Sequence, residues 1–242
     1  MHTEFAYLSD ITGEPIFKNL VERIRTVIHD KLQPGALYPN FLHPINGNWG
    51  KQHHSLGAFG DSFYEYLLKE WLRSGKTDTV SKKMFDQAAI TVENELVKTS
   101  SSGLIYLAEK INGEIVHKMD HLACFAGGMY GLAAHEEKDE NSAHWMKVAE
   151  GITNTCHESY DRTDTKLGPD AFRFTDTVEA RSLNSDEPKY ILRPETIESY
   201  FVMWRLTHDQ KYRDWGWEAV QASIFKMQKF ISIRILRIQY RL

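Results

Sequence analysis

Phe17, Leu20, Val21, Ile24, Val27 and Ile28 return at three- and four-residue steps. That spacing lines one face of an α-helix, whereas residues sharing the face of a strand lie two apart. Pro15 stands near the start of this stripe and Pro34-Gly35 stops it, so a helix of about five turns is expected. The period recurs in "GDSFYEYLLKEWLRSGK", where Asp61 or Ser62 is placed to cap the first turn and Gly75 to end the last. It recurs again through Met84, Phe85, Ala88, Val92 and Leu96, and in "HLACFAGGMYGLAAH", "NSAHWMKVAEGITNTCHESYDR", "PETIESYFVMWRLTH" and "QKYRDWGWEAVQ". A chain so dominated by one period must bury its stripes helix against helix.

One stretch breaks the rule. In "SSSGLIYLAEKINGEIVHK" two short β-favouring runs flank Asn112-Gly113, the strongest short-range hairpin signal. The turn-rich "TDTKLGPDAFRFTDTVEARSLNSDEPKY" has room for another hairpin. No low-complexity linker divides the chain. The pattern reads as an all-α repeat or toroid of helix pairs, with hairpins and long connections gathered at one end, where a site would sit.

At 242 residues the chain can bury a large core. A net charge of −4 provides no basic face for phosphates, so nucleic acid is not an expected partner. No run of about 18 apolar residues appears, so no transmembrane segment is expected. The opening "MHTEFAYLSDITG" lacks the basic-then-apolar order of a signal peptide. Twelve Phe, eleven Tyr and six Trp suit either a sugar-binding cleft or a core, and the core reading is favoured. Cys124 and Cys156 lack CxxC spacing and cannot form a zinc site alone. The residues themselves leave open a disulfide or two buried thiols, the latter favoured because nothing in composition reveals the compartment.

In "YILRPETIESY", Pro194 suits a first helical position, which puts Glu195 in the first turn and Glu198 one turn along the same face. Such a pair could merely complement the helix dipole, worth about 0.3–1 kcal/mol. Arg193 changes the reading, because a guanidinium beside a carboxylate keeps it ionised, as a general base must be.

"YILRPETIESYFVMWRLTHDQKYRDWGWE", "LGAFGDSFYEYLLKEWL", "HKMDHLACFAGGM" and "TCHESYDRTDTKLGPDAFRF" together resemble the class I α-1,2-mannosidases, glycoside hydrolase family 47, and among them the Golgi-type enzymes that trim oligomannose N-glycans. The resemblance implies an (α/α)7 barrel or toroid, incomplete in this chain, with short β-hairpins at one end. It implies inverting hydrolysis of terminal α-1,2-linked mannose and a Ca²⁺ cofactor at the floor of an acidic pocket. Inversion needs an acid on one face of the sugar and a base activating water on the other. On this resemblance Glu195 matches the base, and Asp61 a second catalytic carboxylate sharing its pocket. Glu198 matches a carboxylate holding water around the calcium. Asp120, His121 and Arg193 match pocket residues near the substrate, and Glu4 the glutamate of an "LEF" block, although at the chain start fraying is expected. Cys124 and Cys156 fall where the family keeps a disulfide, which implies a lumenal Golgi or endoplasmic-reticulum location.

Departures accompany the matches. Asp170 in "LGPD" stands where the family has the glutamate of "LGPE", a catalytic-site carboxylate on a shorter arm. Phe59 replaces an arginine of the endoplasmic-reticulum enzymes, which implies broader, Golgi-like trimming. The family's domain is roughly twice this long. The segments resembling its proton donor and its direct calcium ligand, a threonine, are not among these residues, so the resemblance implies an inactive isolated chain and a metal ligand set of none. Residues 1–221 resemble part of the catalytic domain. Residues 222–242 form a divergent tail whose Lys226, Lys229, Arg234, Arg237 and Arg241 suggest either a basic amphipathic helix or, favoured, a sequence read past an exon end. The alternative function is a non-catalytic mannose lectin of glycoprotein quality control. Retention of both Asp61 and Glu195 favours descent from an enzyme.

Overall fold

The computed structural model describes residues 1–138 and 140–239, with the side chains of the last helix described as far as position 224. The tail cations Lys226, Lys229, Arg234, Arg237 and Arg241 fall outside the described side chains. Helices dominate, as the periodicity predicts, and the chain forms two compact units, residues 1–98 with 107–116, and residues 99–106 with those from His117 onward.

In the first unit, α1 (His2–Thr12) packs on α2 (Ile16–Asp30). At four turns α2 is shorter than expected, and of its stripe only Val21 is fully buried, with Phe17 and Ile28 half-buried. Leu20, Ile24 and Val27 are 52%, 58% and 45% exposed, while Val21 and Arg25 are buried. Arg25 goes inward because its guanidinium meets Asp78 at 2.5 Å. After β1 (His53–His54), α3 (Asp61–Arg73) packs on α4 (Thr79–Leu96), with Tyr64, Leu67, Leu68, Met84, Phe85 and Val92 in the core. Asp78 caps α4 by accepting from the Ser81 N–H at 3.0 Å. Burial would raise the Asp78 pKa, but the Ser81 N–H and Arg25 outweigh it and hold it below the ordinary 3.8. The stabilisation this confers is complete above that ordinary value and fades as pH falls through the depressed one. Asp78→Asn should therefore lose about 1.5–3 kcal/mol at pH 7, with the gap to the parent narrowing below pH ~4 in denaturation series.

Past α4, β2 (Val97–Thr99) and β3 (Ile105–Leu107) lie where the chain passes between units. β4 (Glu109–Ile111) and β5 (Glu114–Val116) then form the expected hairpin, with β1 beside β4. Asn112 and Gly113 take φ of 51° and 88°, the two positive values a type I′ turn demands.

In the second unit, β6 (Lys118–Asp120) pairs with β7 (Ala171–Phe174), which pairs with β8 (Glu179–Arg181). A 3₁₀ turn, His121–Cys124, leads into α5 (Phe125–Glu137). α5 lies close against α6 (Ser142–Asp161) and α7 (Glu195–Thr207), and α8 (Gln210–Gln239) packs on α7. Glycines allow the close approach: a Cβ at Gly127 would sit 2.3 Å from Thr153 Oγ1, and one at Gly131 2.6 Å from Met203 Sδ. Cys124 and Cys156 are bonded, with Cα atoms 6.0 Å apart. The pairing implied by the resemblance is correct and the buried-thiol reading is not. The sulfurs are buried, but α5 and α6 are packed closely enough to join them.

Candidate active site

The β6–β7 ladder sets Asp120 opposite Ala171, and the next N–H, that of His121, donates to the Asp170 carbonyl at 2.9 Å. Backbone register thus brings Asp120, His121 and Asp170 to one end of the sheet. The His121 side chain is only 1% exposed. Its Nε2 lies 2.7 Å from Tyr160 Oη and 3.2 Å from Thr196 Oγ1, and its Nδ1 lies 3.0 Å from Glu195 Oε2. Burial, then the neighbouring Tyr190, raises the Tyr160 pKa, so at neutral pH this side chain is a phenol able to donate to Nε2. A carboxylate can only accept, which puts the remaining ring proton on Nδ1, donated to Glu195.

Glu195 opens α7 and Pro194 stands at the N-cap, one position before the place the sequence suggests. The helix start is fastened by buried Ser199, whose Oγ donates to the Cys124 carbonyl at 2.6 Å and accepts from the Gly128 N–H at 2.9 Å. Glu198 lies in the same first turn and is exposed. The guanidinium expected beside Glu195 has another partner: Arg193 Nε donates to Asp170 Oδ1 at 2.7 Å. It is the His121 imidazole that supports Glu195. The shorter aspartate at 170 is thus held by a specific ion pair. Asp120 occupies the N-cap position of the 3₁₀ turn without a side-chain capping bond, and its carboxylate meets Lys118 Nζ at 2.9 Å.

Tyr160, Thr196 and Glu187 were not singled out by sequence. Tyr160 lies one helical turn beyond Cys156 on α6, a spacing that could have flagged it. Glu187 accepts Asp170 N–H through its carbonyl at 2.9 Å, and its buried carboxylate takes Arg173 at 2.7 Å. Burial would raise the Glu187 pKa, but the N–H groups of Asn184 and Leu183 with Arg173 lower it. Gly168 packs on the Tyr160 ring, where an added Cβ would be 2.1 Å from a ring carbon. Gly168→Ala is expected to lower stability by about 1–3 kcal/mol through overpacking, read from the thermal unfolding midpoint.

The first unit carries the other two expected site residues. Asp61 is the first residue of α3, with Gly60 at the N-cap, so neither Asp61 nor Ser62 is the cap. Asp61 Oδ1 accepts from the Ser62 N–H at 2.8 Å. A Cβ at Gly60 would lie 2.1 Å from the Ser55 carbonyl oxygen and 2.8 Å from Asn40 Oδ1, so only glycine allows this entry to the helix. Phe59, 75% exposed, has φ of 71°, a strained value for a bulky side chain. Glu4 is held within α1 rather than frayed. It accepts from the Tyr66 hydroxyl, which with the Met1 amino group lowers its pKa to about 2.

Calcium requires six to eight oxygen ligands. Among the described residues, the three-membered cluster of potential metal-binding side chains is His2, Glu70 and Asp78. There Arg73 engages both Glu70 oxygens and Arg25 engages Asp78. No such cluster gathers at Glu198 among the described residues. These residues do not by themselves fit a calcium site.

A family model described as Glycosyl hydrolase family 47 matches residues 1–231. Over 222 residues, 92% of this chain, the sequence is 58% identical to mannosyl-oligosaccharide α-1,2-mannosidase IA of Drosophila melanogaster, covering 33% of that protein. It is 50% identical over 222 residues to mannosyl-oligosaccharide 1,2-α-mannosidase IC of Homo sapiens, covering 92% of this chain and 35% of that one. The fold matches α-1,2-mannosidase from Trichoderma reesei with a TM-score of 0.81 at 27% identity, covering 91% of this chain and 49% of the other. The chain spans about a third of the length of the curated relatives it matches.

Proposed function

Because this chain belongs to glycosyl hydrolase family 47, we propose that it supplies the base side of an inverting α-1,2-mannosidase acting on terminal mannose of oligomannose N-glycans. The observation that carries the reading is the Glu195–His121–Tyr160 string at the start of α7. His121 engages one Glu195 oxygen and fixes its plane, and the other oxygen is the proton acceptor. A water positioned against it attacks the anomeric carbon as its proton passes to Glu195. The glycosidic C–O bond breaks with its electron pair going to the leaving oxygen, which must be protonated by an acid on the opposite face. Asp61 is the second catalytic carboxylate in this proposal. Arg193 and Asp170 form a paired wall beside the sugar together with Asp120. Glu4 is assigned to substrate contact, and exposed Phe59 supports the broader, Golgi-like trimming. Glu198 contributes to calcium only together with ligands beyond those described here, and no step above depends on the metal.

The disulfide supports a secretory-pathway location, Golgi or endoplasmic reticulum, since such bonds persist where the environment is oxidising. No helix among the described residues is long and apolar enough to cross a membrane. The test uses a hybrid in which this segment replaces the 222 matched residues of the Drosophila relative. Mannose release from an oligomannose N-glycan in Ca²⁺ is the expected result, and glycan binding without release would favour the lectin. The 242-residue chain alone is expected to release none, and release by it would show that a residue of this chain, with Asp61 the first candidate, supplies the acid.

A further inference from the structure

In the second unit a groove of about 700 Å³ opens among Arg162, Pro169, Arg181, Ser182, Pro188 and Tyr190. Its size falls within the roughly 300–1,000 Å³ of small-ligand sites. The lining alternates two kinds of surface. Two prolines and a phenol ring offer flat apolar faces, while two guanidinium groups and a hydroxyl offer directed hydrogen bonds.

The polar groups are arranged to receive a neutral, hydroxyl-rich molecule. Arg162 is held rigidly, with Nε donating to Glu158 Oε2 at 2.9 Å and Nη1 to the Glu179 carbonyl at 2.9 Å, and Nη2 has no partner among the described residues. Its charge is met by Glu158 and Glu179. Ser182 Oγ spends its proton on the Ala171 carbonyl at 2.8 Å and keeps lone pairs to accept. Arg181 is exposed and makes no side-chain hydrogen bond or ion pair among the described residues. One uncompensated cation, with Asp164 also on the rim, is too little to select a polyanion.

The groove continues into the base's support. Pro169 directly precedes Asp170. The Tyr190 ring meets the Tyr160 ring edge-on with centroids 6.3 Å apart, and Tyr160 holds His121. We propose that this groove is an outer glycan subsite, a polyol-binding surface that holds mannose residues away from the bond being cleaved. The proposal rests on the glycosidase reading above and adds to it a site for the rest of the substrate.

The test measures dissociation constants by calorimetry in the hybrid carrying Glu195→Gln, so that the glycans survive. The probes are an oligomannose N-glycan and α-1,2-mannobiose, too short to span both places. Arg181→Ala, an exposed change, and Tyr190→Ala are expected each to weaken the long glycan about tenfold, as loss of a charge-assisted bond or an apolar face would, and to leave mannobiose within about twofold. Unfolding midpoints identify any variant that fails to fold, and the other then decides. If neither variant alters oligomannose affinity, or if both probes weaken alike, the subsite is wrong. Cleavage by the Glu195 hybrid with that negative result would keep the glycosidase reading and remove the groove. Groove-dependent binding without cleavage would do the reverse.

Discussion

Glu195→Gln in the hybrid is expected to lower kcat on an oligomannose N-glycan by about 10²–10⁴-fold, the usual contribution of a positioned general base. The change is nearly isosteric. The new amide oxygen can still accept from His121 Nδ1, so α7 should keep its start and its Ser199 anchor. What is lost is a group able to take the water's proton, and an amide does not do so at neutral pH. The loss is felt in the transition state, so KM should move only a few-fold while kcat and kcat/KM fall together. A residual rate within about tenfold of the parent would show that another group activates the water and that the His121–Glu195 pair is a structural tie.

Removing both cysteines, Cys124→Ala with Cys156→Ala, is expected to cost about 3.7 kcal/mol by the loop-closure relation for their separation of 32 residues. Chemical denaturation with and without reductant gives the comparison. Reductant should bring the parent down to the double variant and leave the variant unmoved. In the hybrid, activity should fall as well, because bonded Cys124 ends the turn that begins at His121 and its carbonyl takes the Ser199 hydroxyl that fastens α7. A loss under about 1 kcal/mol would mean that the packing of α5 on α6 holds this region without the bond.

Legibility in the sequence followed the range of the forces involved. The Asn112-Gly113 hairpin was readable because only two positive φ values close that turn, a local fact. The long helices were readable from period. α1 was not, since it buries little beyond Ala6 and Ser9 and has no stripe to betray it. In α2 the stripe gave the helix but not which side turns inward, because the Arg25–Asp78 pair joins residues 53 apart and leaves no mark on the period. The same limit applied at the candidate site. Both glutamates could be placed on α7 from sequence, whereas the partner of Glu195 lies 74 residues away. Arg193, adjacent in sequence, pairs instead with Asp170. The cysteine pairing was undecided by the residues and came from resemblance.

The outward-facing side of α2 also governs how this polypeptide behaves in bulk solution. Ile16, Leu20, Ile24 and Val27 present branched aliphatic carbon to water along one ridge. Singly such residues are ordinary on a surface, but in a row they form an adhesive strip. Concentration, salt and temperature become the variables that decide whether a preparation stays clear. Strongly excluded anions such as sulfate should promote clouding and low urea should delay it. In a crowded cell the same ridge is the kind of surface that chaperones grip, so its fate there would be set by triage as much as by chemistry.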